Sequence, residues 1–144
     1  MPDLSLSEAV TIIEHAFECA EKLKLKPIAV AVLNAGGQLK AFAGQDGCSI
    51  LRPQIAHGKA YGALALGMGS RAMDEMARER PHFMSALNGL AGGALVPVPG
   101  GVLIKSAAGA VMGAVGVTGD TSDNDEACAV AGIEAASLVA LVGR

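Results

Sequence analysis

At 144 residues, 51% of them hydrophobic, the chain has the length of one domain, residues 1–144, and can bury roughly 70% of its unfolded surface. A net charge of −3 and 3% aromatic residues with no Trp argue against nucleic-acid binding, which uses a basic stripe and stacking aromatics. Cys19, Cys48 and Cys128 show no CxxC spacing, and Met1-Pro2-Asp3-Leu4-Ser5 has neither a basic nor an apolar leader segment, so a reducing, cytoplasmic setting is expected.

Residues 5–25 read as an amphipathic helix. Ser5 and Glu8 have capping-box spacing, and Ala9, Ile12, Ile13, Ala16, Ala20 and Leu23 form the apolar stripe. Glu18 and Lys22 make an i,i+4 pair, and Pro27 ends the segment. Ile28 to Leu33 and Gln38 to Ala43 read as two strands joined at Asn34-Ala35-Gly36-Gly37, a hairpin. A second helix spans 52–67, with Pro53 in its first turn and a smooth edge at Gly58 and Gly62. Ser70 caps a third helix to about Arg78. Pro81 restarts a short helical turn through Leu87.

A glycine-rich loop, 89–101, leads to a second hairpin. Its strands are Val102 to Lys105 and Ala110 to Val117, around the turn Ala107-Ala108-Gly109. Ser122 or Asp123 caps a last helix reaching about Leu141, with Ala127, Val130, Ala131, Ala135, Leu138 and Val142 as its buried stripe. From Phe83 to Gly119 the only charge is Lys105. Glycines and prolines break that stretch, so it reads as strands and loops rather than a span of about 20 apolar residues. The order is α-β-β-α-α-(α)-β-β-α. It predicts an α+β fold with a central antiparallel sheet packed by helices.

Four carboxylates, Asp120, Asp123, Asp125 and Glu126, fall within seven residues. In a helix's first turn they complement the dipole; Asp120 lies before the helix, on a glycine turn, and is less well explained that way. His15, His57 and His82 are each a surface or structural residue, an acid/base or a haem ligand. His82 is the foremost candidate, on a proline-stiffened turn beside the glycine loop. No fixed metal-ligand spacing is present, and no metal site is expected. Lys59 is an exposed solubiliser or a pocket cation. Arg52 opposes the dipole of the helix it starts, which points to an anionic partner or to a salt bridge with Asp46. Gly113, Gly116 and Gly119 are not the dinucleotide fingerprint. In a strand they mark close backbone approach, by a flat ligand or a neighbouring subunit.

These features converge on a pocket between Pro99-Gly100-Gly101, Asp120 and Asp125, and Lys59, with Lys59 paired to Asp120 or Asp125. Small apolar residues in so short a chain also predict a homodimer or higher homo-oligomer.

Lys59-Ala60-Tyr61, Pro99-Gly100-Gly101-Val102, Gly113-Ala114-Val115-Gly116-Val117-Thr118-Gly119 and Asp125-Glu126 occur in that order, with Asp46-Gly47 ahead of them. In this the chain resembles the GlcG/HbpS-like family, related to the C-terminal domain of PduO-type proteins. The resemblance implies a profilin- or PAS-like α+β outline, homo-oligomers, and haem or corrinoid binding in some members. Two readings follow. One is a binding module for haem or a related tetrapyrrole, held by His57, His82, Gly100, Gly101 and Thr118. Its ligand is then a histidine or a weaker group, not a thiolate of Cys19 or Cys128, which are placed on buried helix faces. The other is a metal-independent lyase, isomerase or hydratase acting on a small carboxylate or oxo acid. There Arg52 or Lys59 holds the anion, the Gly100 and Gly101 amides stabilise an oxyanion, and His82, Asp120 or Asp125 moves protons.

Overall fold

The computed structural model describes residues 3–144. In chain order it has α1 (Leu6–Lys22), β1 (Ala29–Asn34), β2 (Leu39–Gly44), α2 (Arg52–Leu66), α3 (Ser70–Glu79), α4 (Pro81–Leu90), β3 (Gly101–Lys105), β4 (Val111–Thr118), α5 (Ser122–Ala135) and β5 (Val139–Leu141). The five strands form one sheet in the order β2-β1-β4-β3-β5, and every neighbouring pair is antiparallel. The fold is α+β, as the element order predicts. No helix among the described residues is long and apolar enough to cross a membrane.

Local chemistry sets the first helix. Ser5 Oγ accepts from the Glu8 amide at 3.0 Å, and the Glu8 carboxylate accepts from the Ser5 amide at 2.9 Å. The helix stops at Lys22, before Pro27, because Lys24 turns the chain with φ 54°.

Several expectations need correction. Ser70 is the first residue of α3 rather than its cap; the cap position is Gly69. Ser70 Oγ instead accepts from the Gly101 amide at 2.7 Å and donates to the Gly101 carbonyl at 3.2 Å, tying α3 to the start of β3. The segment after Pro81 is a ten-residue helix, not a short turn. The last helix ends at Ala135. Ser137 (φ 60°) then reverses the chain, and Val139–Leu141 form a fifth strand on β3. The open edge of β3 offers those residues backbone partners that a longer helix would leave unpaired.

The buried side of α5 also differs from the predicted stripe. It consists of Asp125, Glu126, Cys128, Ala129, Gly132 and Ile133, while Ala127 is exposed. Close packing on α1 selects this face: a Cβ at Gly132 would lie 2.4 Å from the Ile12 carbonyl oxygen. Two carboxylates turn inward because basic partners await them there.

The sheet separates two layers. Val30, Val32, Val102, Ile104, Val115 and Val117 pack with α1 and α5 in the main core. On the other side Ala29, Ala31, Leu33, Leu103 and Ala114 lie under Ala56, Ala60 and Ala63 of α2. There the helix rests almost on the strands. A Cβ at Gly116 would fall 1.9 Å from the Ala56 carbonyl oxygen, and one at Gly101 2.3 Å from that of Lys59.

Candidate functional site

Two sites emerge, one closed and polar, the other open and apolar. The closed one centres on Lys59, which points from α2 past the end of β4 toward α5. Its ammonium donates to the Val117 carbonyl at 2.9 Å and to Asp125 Oδ2 at 3.3 Å. Both side chains of the pair are 2% exposed. Burial pushes the Lys59 amine below its ordinary value, and the attraction of Asp125 only partly offsets this. Burial likewise pushes the Asp125 carboxyl up against the pull of Lys59. Both shifts mean that desolvation outweighs the pairing. Gly100 makes room for the lysine. Its φ is +124°, and a Cβ there would lie 2.7 Å from Lys59 Nζ.

Around this pair the chain end of β4 is stitched to its neighbours. Asp125 Oδ1 accepts from the Asp120 amide at 3.0 Å. Asp120 accepts from the Lys26 amide at 3.1 Å and from Asn124 Nδ2 at 2.8 Å. The Asn124 bond first, then the backbone amides of Thr121 and Lys26, hold the Asp120 carboxyl below its ordinary value. Arg52 donates to Thr118 Oγ1 at 2.7 Å, and no ion pair joins it to Asp46 among the described residues. Lys59, Arg52, Thr118, Gly100, Asp120 and Asp125 therefore meet in one region.

A second ionic cluster was not legible in the sequence. Arg71 of α3 donates to both carboxylate oxygens of Glu126, at 2.9 and 3.2 Å, and also pairs with Asp123. Arg144 reaches the same Glu126 at 3.2 Å. The two carboxylates raise the Arg71 guanidinium further, Glu126 first. Asp123 thus serves as an ion-pair partner as well as a first-turn acid, and Glu126, just past that turn, as an ion-pair partner.

The open site is a groove of about 690 Å³ between β1–β2, the start of α2 and the loop 92–96. Ala31 lies at its base, and Leu39, Phe42, Leu51, Pro53 and Ile55 form apolar walls. His57 lines it too, half-buried, and stacks on Tyr61 with ring centroids 6.2 Å apart and planes 12° from parallel. Gly58 lets the loop sit down on α2, since a Cβ there would lie 2.7 Å from the Ala94 carbonyl oxygen. The walls come from three separate segments. The only sequence signal for them is a pair of adjacent apolar residues, Ile50-Leu51, in a turn where polar residues are usual.

His82 stands exposed on the first turn of α4 and does not line this groove. Cys128 is buried as expected, whereas Cys19 is half-buried. Among the described residues no three His, Cys, Asp or Glu side chains group to hold a metal ion.

A family model described as haem degrading protein HbpS-like matches residues 4–134. No curated protein sequence matches. Among solved structures, PduOC in complex with haem superposes with a TM-score of 0.86 at 20% identity, covering 99% of this chain and 100% of that one. Klebsiella pneumoniae protein ORFY gives 0.85 at 20% identity, over 95% and 93% of the two chains. A double mutant of Streptomyces reticuli HbpS gives 0.79 at 24% identity, over 93% and 87%. At these identities the structural likenesses establish the fold.

Proposed function

The chain belongs to the HbpS-like family, and from that premise we propose that it binds haem or a related tetrapyrrole in the apolar groove beside His57, as a homo-oligomer. The observation that carries this reading is the groove itself. Its 690 Å³ fall in the range of about 300–1,000 Å³ for small-molecule sites. Its walls are apolar, and it offers one imidazole. Leu39, Phe42, Leu51 and Ile55 would cover the faces of a flat macrocycle, and His57 would hold its metal. A bound haem supplies a redox-active iron; the protein supplies orientation and a dry surface. The haem in the PduOC relative supports the same class of ligand.

The oligomer is supported by apolar side chains left outside the core. Outside the groove as well, Ile50 is 94% exposed and Leu90 87%, apolar surface that a second copy would cover. The reading as a metal-independent enzyme on a small carboxylate asks Lys59 to face a substrate. Its ammonium is enclosed and turned to Val117 and Asp125, so the geometry favours the binding module.

Titration of haem into the purified chain, followed by visible absorbance, tests this. The expected result is saturable binding with a shifted Soret band, weakened about tenfold or more by His57→Ala, which corresponds to about 1.4 kcal/mol, and unaltered by His82→Ala. A spectrum that remains that of free haem overturns the reading. Light scattering that gives a single mass near 14.4 kDa overturns the oligomer.

A further inference from the structure

On the face of the sheet away from the groove, α1 and α5 meet at small residues. Gly132 touches Ile12 so closely that a Cβ would lie 2.4 Å from the Ile12 carbonyl oxygen and 3.0 Å from its Cγ2. Moving on along α1 from Ile12 leads to Cys19, and moving back along α5 from Gly132 leads to Cys128, both packed in the same core. Cys19 lines one cleft with Ala131, about one helical turn beyond Cys128 on α5, and the Cys128 thiol has Cys19 as a neighbour. A disulfide between them spans a Cα separation of about 4.4–6.8 Å. The two thiols are unequal in access. A cleft of about 300 Å³ reaches Cys19, between His15, Glu18 and Lys22, whereas Cys128 is 0% exposed.

We propose that Cys19 and Cys128 are a peroxide-responsive thiol pair, with Cys19 the residue oxidised and Cys128 the residue that resolves it. The Cys19 thiolate attacks one oxygen of hydrogen peroxide. The O–O bond breaks, Cys19 becomes a sulfenic acid, and the released hydroxide takes up a proton as water. The Cys128 sulfur then attacks the Cys19 sulfur. The S–S bond forms, the S–O bond breaks, and the hydroxyl leaves with the Cys128 proton as a second water. The two thiols lose two electrons and the peroxide gains two. Cys128 is enclosed while a cleft reaches Cys19, and burial first, then the neighbouring Cys19, pushes the Cys128 thiol up, so the outer residue is the one that reacts first. Without a resolving thiol, a sulfenic acid proceeds to the sulfinic acid under excess peroxide. Cys48 is an internal control. It packs on the opposite side of the sheet, against Ala29, Ala31 and Ala56. The pair stands on α1 and α5 and does not depend on what the groove binds.

The test treats the full chain with hydrogen peroxide, alkylates it with N-ethylmaleimide under denaturing conditions and maps the peptides by mass. The expected product joins the Cys19 and Cys128 peptides, leaves Cys48 alkylated, and returns to three free thiols on addition of dithiothreitol. Closing a loop of about a hundred residues should raise the thermal midpoint by about 10 °C, reversibly. In Cys128→Ala, Cys19 should accumulate as sulfinic acid. If that variant does not fold, Cys19→Ala must leave Cys128 fully alkylated. Alkylated Cys128 beside sulfinic Cys19 in the unaltered chain overturns the proposal. So does a disulfide that forms through Cys48 or in the absence of Cys19.

Discussion

Under α1 and α5 the sheet presents Val30, Val32, Val102, Ile104, Val115 and Val117, while under α2 it presents alanines, two leucines and glycines. The first face holds its helices at a distance filled by branched side chains, and its stability comes from apolar burial, about 1.5–3 kcal/mol for each large side chain. The second lets a helix backbone approach the strands until no Cβ fits between. Little apolar area is available there, and the position of the helix is fixed by Lys59 reaching through to Asp125. The faces should therefore respond to substitution in different ways.

The largest effect is expected at the buried pair. Lys59→Met leaves Asp125 enclosed without its cation, and should cost about 3–5 kcal/mol in urea-unfolding experiments. Adding Asp125→Asn should recover part of that, because an amide oxygen still accepts from the Asp120 amide and no charge is stranded. A double variant no more stable than Lys59→Met alone would show that Asp125 is held by something other than the lysine.

Next comes Gly116→Ala, one methyl group on the thin face. With 1.9 Å to the Ala56 oxygen, it should cost about 3 kcal/mol, the upper end for overpacking. The matching change on the thick face, Ile104→Val, removes one methyl group and should cost about 1 kcal/mol. Equal losses would erase the distinction between the two faces.

The smallest signal is in the pH dependence, and its sign is fixed by the two shifts. Asp125 is raised from its ordinary 3.8, so the native chain binds the extra proton above 3.8, and stability falls as pH rises through that window. Lys59 is lowered from its ordinary 10.5, so just below 10.5 the unfolded chain binds the extra proton, and stability rises with pH. Denaturant midpoints across pH should show both slopes, and both should vanish in the Lys59→Met, Asp125→Asn variant. Asp120 acts oppositely. Its carboxyl is depressed, so its contribution is present above 3.8 and is lost as pH falls below.

What the sequence disclosed follows the range of the interactions. The capping box at Ser5 and Glu8 and the hairpin turn at Asn34-Ala35-Gly36-Gly37 are local, and both were legible. The Lys59–Asp125 contact was legible as one of two pairings, because the glycine loop, the acidic start of the last helix and Lys59 converge on one pocket. The fifth strand was not legible. Leu138, Val139 and Leu141 satisfy a helical stripe as readily as a strand, and the open edge of β3 decides between them. Arg71 gave no sign of its role, because Glu126 lies 55 residues away and both residues look ordinary on a helix. The groove walls were hidden for the same reason, since β2 and α2 each supply residues that look like scattered surface apolars.

Lys59 also indexes the rotation of α2. Lys59 held by Asp125 and Arg52 held by Thr118 both resist turning of α2 about its own axis. At 3.6 residues per turn, a residue two positions earlier lies about 200° around the helix. A lysine pinned on the inner side therefore aims the His57 ring outward over the groove. The azimuth of the one imidazole in the open site is thus set in part by a buried ion pair that never touches it.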